Sequence, residues 1–112
     1  MSFIKPYFDA AYLPETRGQK IFLLSPSTLF LVAKNVYRID LGLWMPYLPT
    51  DTLINFVDIH PKFNILNKYL VASLDELRLV VFVQCTVIIE PKTPLCEIRY
   101  VPVSSLLPGM FH

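Results

Sequence analysis

Only three glycines, Gly18, Gly42 and Gly109, occur in the 112 residues of this chain. A backbone that approaches a phosphate closely usually needs glycine, because a Cβ is in the way, and three are too few to build phosphate loops at several places. Charge is scarce as well: 17% of the residues are charged and the net charge is +1. Lysine and arginine are scattered from Lys5 to Arg99 without clustering, which leaves no electrostatic footprint for a nucleic acid. Two cysteines, Cys85 and Cys96, form neither a metal quartet nor a close redox pair. There is no long hydrophobic run either. The longest apolar region, 21–33, is interrupted by Ser25-Pro26-Ser27-Thr28, so no membrane-spanning helix is expected. The opening MSFIKPYFDAAYLPE has no apolar core behind a basic segment, and no cleaved secretory signal is expected. These absences together predict a soluble protein of a reducing compartment, cytoplasm or nucleus, with both cysteines as free, buried thiols.

What is present is apolar and punctuated by proline. Hydrophobic residues make up 54% of the chain, more than a typical soluble domain carries, which predicts that part of the apolar area faces another subunit or partner. Ten prolines fall at intervals too short for long helices, and each pushes its predecessor toward extended backbone. The expectation is an all-β single domain over 1–103 with a C-terminal arm over 104–112. Strands are predicted at 19–24, 29–33, 36–45, 52–59, 63–66 and 69–72 from apolar alternation and β-branched content. Ile39, Leu41, Leu43 and Met45 should share one face, as should Leu53, Val57 and Ile59. Residues 77–85 and 95–103 flank the turn-forming Glu90-Pro91-Lys92-Thr93-Pro94 and read as a strand, a turn and a returning strand. Ser73-Leu74-Asp75-Glu76 has the spacing of a helix capping box, but the β-branched run behind it argues for a turn. Phe30, Tyr37, Trp44 and Phe82 each sit among apolar neighbours and read as core or interface residues rather than base-stacking platforms.

The order of these segments resembles the trimeric dUTP pyrophosphatase (dUTPase) family. Ala11-Tyr12-Leu13-Pro14 with Arg17-Gly18 is similar to the family's opening Ala-x-Leu-Pro, and 36–46 to its strand ending in proline. Glu76-Leu77-Arg78-Leu79-Val80-Val81 resembles its Gly-Glu-Ile-Lys-Val-Val strand, and 89–99 its Ile-x-x-Gly-Asp-Arg-Ile-Ala-Gln-Leu segment. The resemblance implies a compact jelly roll or β-clip and a homotrimer. It also implies a site that uses carboxylates and glycine-rich backbone to hold a Mg²⁺-triphosphate and activate water.

The residues at the implied positions do not carry that chemistry. The Asp that would activate water falls at Leu70, and the Tyr that would touch the sugar falls at Ser73. The Gly-Asp-Arg turn becomes Lys92-Thr93-Pro94, its downstream Gln becomes Glu97, and the Arg-Ser-Gly motif falls near 57–62, where neither Ser nor Gly occurs. Asp58 and His60 lack a third partner to form a metal site and read as a solvated turn; His112 would join them only by accident of folding. No catalytic, cofactor-binding or metal residue is therefore assigned, and no cofactor is expected. The resemblance instead implies a viral, non-catalytic structural or assembly protein, such as a capsid decoration component, acting through contacts with other viral or host proteins. Its predicted interface residues are Leu106, Leu107, Met110 and Phe111 on the arm. A regulatory role toward host signalling partners is the alternative, and an active dUTP pyrophosphatase a further one. The closing Gly109-Met110-Phe111-His112 does not suit a hydrophobic C-terminal pocket, which favours the structural reading.

Overall fold

The computed structural model describes residues 5–6, 12–45, 52–70 and 75–102. The arm residues Leu106, Leu107, Met110 and Phe111, together with Ser73 and His112, lie outside the described residues. Every regular element described is a strand. They are β1 (Lys5–Pro6), β2 (Glu15–Arg17), β3 (Lys20–Leu24), β4 (Leu29–Leu31), β5 (Val36–Met45) and β6 (Thr52–Asp58), followed by β7 (Phe63–Ile65), β8 (Tyr69–Leu70), β9 (Asp75–Val83), β10 (Val87–Ile89) and β11 (Pro94–Pro102). They form a four-stranded sheet in the order β1-β5-β9-β7, a five-stranded sheet in the order β2-β3-β11-β6-β8, and a two-stranded ribbon of β10 and β4. All pairings are antiparallel.

One apolar cluster joins the three. The four-stranded sheet contributes Ile39, Leu41, Leu43, Phe63, Ile65, Leu77, Leu79, Val81 and Val83; the five-stranded sheet contributes Leu23, Ile54, Phe56, Leu95, Cys96 and Ile98; the ribbon adds Leu31 and Ile89. This is the two-layer solution by which antiparallel sheets with one apolar face each remove that face from water.

Two irregularities set the register. On β5, Asp40 faces Arg78 and Leu43 faces Leu77, so Leu41 and Gly42 are extra residues, and Gly42 takes the left-handed φ of 68° that such a bulge needs. An insertion of two keeps the parity, and Ile39, Leu41 and Leu43 are all buried as the alternation predicts. On β11, Pro94 faces Leu24 and Cys96 faces Leu23, leaving Leu95 without a partner on β3. The β2–β3 connection is a two-residue hairpin loop, Gly18-Gln19, between the paired Arg17 and Lys20. Gly18 supplies the positive φ of 63° at its first position, where a type II′ turn requires it.

Several expectations are corrected. Residues 75–103 are not a hairpin: β9 pairs with β5 and β7, whereas β11 pairs with β3 and β6 in the other sheet. Between them Val87–Ile89 forms β10, which crosses to pair with β4. Alternation shows that a segment has a buried face, not which strand it lies beside, so two apolar segments around a turn read as a hairpin by default. In β6 the buried residues are Leu53, Ile54 and Phe56, while Val57 is half-buried and Ile59 exposed. Of the two free cysteines Cys96 is buried, but Cys85 is exposed at the bend after β9. Of the two roles read for Phe30, core or interface, its exposure excludes the core, and Glu15–Arg17 forms a strand that the sequence reading left unassigned.

Candidate functional site

The turn between β10 and β11 occupies the place where the resemblance puts a Gly-Asp-Arg turn. Thr93 N–H donates to the Glu90 carbonyl at 3.3 Å, and Lys92 is left at φ 67°. This left-handed backbone is the one for which glycine is the ordinary residue, and the resemblance has glycine at this position. The turn is clipped to the β3–β4 connection by two backbone bonds. Lys92 N–H donates to the Ser25 carbonyl at 2.9 Å, and Ser25 N–H donates to the Thr93 carbonyl at 2.8 Å. Ser25 is fully buried, and its hydroxyl donates to the Ser27 carbonyl at 2.7 Å, so the connection satisfies its own polar groups.

Beside this turn Tyr12, Leu13, Pro14, Glu15, Leu24 and Lys92 line an open depression of about 550 Å³. The fold thus brings together two segments that carry the resemblance, Tyr12-Leu13-Pro14 and the Lys92 turn. The chemistry within it is modest. The Lys92 ammonium sits 5.0 Å from the centre of the Tyr12 ring. Glu15 accepts from Arg17 Nε at 3.0 Å and Nη2 at 3.2 Å, and this bond holds its carboxyl below the usual glutamate range. The Arg17 guanidinium in turn lies over the Phe22 ring at 5.6 Å. The depression therefore presents one ammonium, one already neutralised carboxylate and an apolar wall.

Glu97, at the position of the implied Gln, is 5% exposed although it carries a charge. Its carboxylate accepts from Arg99 Nε at 2.7 Å, which lowers its pKa. Leu70 pairs with Ile54 across the β8–β6 ladder.

Asp58 and His60, the other candidates, are each bound up in the β6–β7 corner. Asp58 Oδ1 accepts from Ile65 N–H at 2.7 Å and Oδ2 accepts from the Lys68 ammonium. Partial burial pushes the Asp58 carboxyl up, but Lys68, the Ile65 amide and Asn64 outweigh it and hold the group below its ordinary value. The His60 ring stacks on Phe63 with centroids 4.7 Å apart, and its Nδ1 accepts from Lys62 N–H at 3.2 Å. Burial, then the Lys62 charge, lowers its pKa, and the ring caps the turn through Nδ1. Among the described residues, no three His, Cys, Asp or Glu side chains come together to hold a metal, and no helix is long and apolar enough to cross a membrane.

The sequence reading passed over Asn67. Its Nδ2 donates to the Arg78 carbonyl at 2.9 Å and its Oδ1 accepts from Val80 N–H at 2.8 Å, a two-bond clamp of the β7–β8 connection onto β9. The available signal was an Asn directly after the apolar Ile65-Leu66, where its side chain can bond to backbone.

No protein-family model matches this sequence, and no curated protein matches it. Solved structures do. A mutant dUTPase from phage phi11 of S. aureus, whose study describes a structural Mg(II) ion, superposes with a TM-score of 0.78 over 96% of this chain and 92% of its own, at 11% identity. The dUTPase of Staphylococcus bacteriophage 80alpha superposes with a TM-score of 0.76 over 96% of this chain and 92% of its own, also at 11% identity. The chain is therefore similar in fold, along nearly its whole length, to phage dUTPases, and its architecture is the all-β, dUTPase-like β-clip or jelly roll.

Proposed function

We propose that this chain is a non-catalytic member of the dUTPase-like folds that acts as a trimeric structural or assembly protein, of viral origin and suited to decorate a particle. One observation carries the reading. At the turn where the resemblance expects Gly-Asp-Arg the chain has Lys92-Thr93-Pro94, and the depression beside it offers a single ammonium and a carboxylate already bound to Arg17. Attack of water on a triphosphate needs a free base and a cradle of donors or a metal for the phosphates, and these groups supply neither. Fold alone does not assign function, so the site chemistry decides between scaffold and enzyme.

The assay is direct. Incubated with dUTP and Mg²⁺, the protein should release no pyrophosphate, and a non-hydrolysable dUTP analogue should leave its Tm unchanged, since a ligand that binds the native state must raise it. Turnover at ordinary enzyme rates would overturn the reading. Sedimentation should give a trimer; a monomer at micromolar concentration would remove the assembly role.

A second reading has its own support. The phage 80alpha dUTPases are described as controlling transfer of virulence genes by a G protein-like mechanism, so this fold can serve regulation. A regulatory protein of this kind would recover a host factor, rather than particle proteins, in native purification from infected cells.

A further inference from the structure

Strand β4 is paired on one side only among the described residues. Its ladder to β10 runs Leu29–Ile89, Phe30–Ile88 and Leu31–Val87. Just beyond, Val32 N–H turns away from β10 and donates to Tyr37 Oη at 3.0 Å, while Ala33 N–H turns back and donates to Thr86 Oγ1 at 3.0 Å. In an antiparallel pair successive residues point their backbone groups to alternate sides. The Val32 bond therefore fixes the phase: Leu29 and Leu31 bond to β10, and the N–H and C=O of Phe30 point the other way.

They point toward a cleft of about 270 Å³ between β4 and the start of β5, lined by residues 26–31 and 37–40. The cleft is smaller than the 300–1,000 Å³ usual for small-molecule pockets. What distinguishes it is a strand edge on one wall. Its floor is apolar, with Leu31 and Ile39 buried and Tyr37 packed on the core. Its rim carries Phe30, 62% exposed, and Arg38. The Arg38 guanidinium lies 3.6 Å from Asp40, and Asp40 is also 3.8 Å from Arg78. Arg38 can therefore turn to another carboxylate without leaving Asp40 uncompensated.

We propose that this cleft binds an extended peptide as a strand added to β4, with an acidic side chain at the position beside Phe30 and apolar side chains on either side of it. The backbone of Phe30 supplies the pairing. Alternation in the added strand sends the flanking side chains to the floor of Leu31 and Ile39 and the central one to the rim, where Arg38 is its counter-charge. The site is separate from the Lys92 depression. A trimer in solution that ignores the peptide would remove this proposal alone, and a monomer that binds it would remove the assembly reading alone.

The test uses the full chain and a short fluorescent peptide of alternating valine and aspartate, read by anisotropy. Replacing the central aspartate by lysine should weaken binding about tenfold or more, as loss of a charge-assisted hydrogen bond does. Replacing it by proline, which has no N–H to give, should abolish binding. Arg38→Glu, an exposed change on the sheet surface, should reverse the preference toward the lysine peptide. Hydrogen exchange at the Phe30 amide should slow when the aspartate peptide is added. The proposal is overturned by absence of binding, by equal binding of the proline peptide, or by a charge preference that Arg38→Glu leaves intact. It is equally overturned if the Phe30 amide is protected by raising protein concentration without peptide, since a second copy would then hold the edge.

Discussion

Strands β9 and β11 lie close together in sequence, have nine residues each and are each paired on both sides, yet they meet water differently. On β9 the buried residues alternate strictly, Leu77, Leu79, Val81 and Val83, and those between them reach solvent to some degree. On β11 four consecutive residues, Leu95, Cys96, Glu97 and Ile98, are all buried. Two causes combine. The bulge at Leu95 turns both Leu95 and Cys96 into the core. On the other face Glu97 lies between Phe22 and Val57 in the ladder and is held by Arg99. A strand paired on both sides is thus not necessarily covered on both faces; bulges and outer-face side chains decide that.

The sharpest break between the two strands should appear at their cysteines. Burial pushes the Cys96 thiol up to about 12, so at pH 8 only about one molecule in ten thousand carries the reactive thiolate. Cys85, just past β9, is exposed to the reagent. An alkylating reagent should label one thiol rapidly in the native protein and two after denaturation, with mass spectrometry placing the first on Cys85. Equal native labelling would mean that β11 is not the covered strand.

Next in size is side-chain truncation. Leu95→Ala removes a fully buried side chain from the bulge and should cost ~2–5 kcal/mol. Val80→Thr, on the outer face of β9, should cost less than ~1 kcal/mol because the site is only half-buried. Urea denaturation of the two variants measures the gap, and similar losses would erase the distinction between the strands.

The acid limb of stability sharpens the comparison further. The hydrogen bond from Arg99 holds the Glu97 carboxyl below its ordinary value of 4.5. A carboxyl lowered in the folded state contributes stability that is present above that ordinary value and is lost as pH falls through the lowered one. Glu97→Gln should therefore flatten, but not remove, the fall in Tm below pH 4.5, because Asp58 is also lowered and titrates in the same direction. An unchanged acid limb would show that the Glu97–Arg99 bond contributes nothing.

The residues that made the fold legible were those with a strict period or a strand-forming composition. Ile39, Leu41 and Leu43 identified β5, because one buried face imposes alternation, and the Val and Phe content of 77–85 identified β9. What stayed hidden depended on partners distant in sequence. β10 is three residues long and falls between the strand read at 77–85 and the turn at 90–94, and only its pairing with β4 reveals it. β2 has three polar residues and no apolar face, so nothing in Glu15-Thr16-Arg17 announces a strand beyond the glycine that follows. The Lys92 turn and Tyr12-Leu13-Pro14 were legible only as separate segments of the resemblance. That they meet was not, because the Ser25 clip and the Lys92–Tyr12 contact are tertiary.

The smallest effect concerns the two left-handed lysines. Lys34 at φ 68° closes the turn from β4 to β5, and Lys92 at φ 67° closes the turn into β11. Glycine at either position relieves a backbone cost of ~1–2 kcal/mol but returns ~0.5–1 kcal/mol through the greater freedom of the unfolded chain. On the backbone terms alone each substitution would be mildly stabilising. They differ in one respect: Lys92→Gly also removes the ammonium from the Tyr12 ring, a contact of ~0.5–1 kcal/mol at an exposed site. Lys34→Gly should raise the Tm and Lys92→Gly should leave it nearly unchanged. If Lys92→Gly instead stabilises as much as Lys34→Gly, the Tyr12 contact carries no weight, and the Lys92 depression is held together by the backbone clip to Ser25 alone.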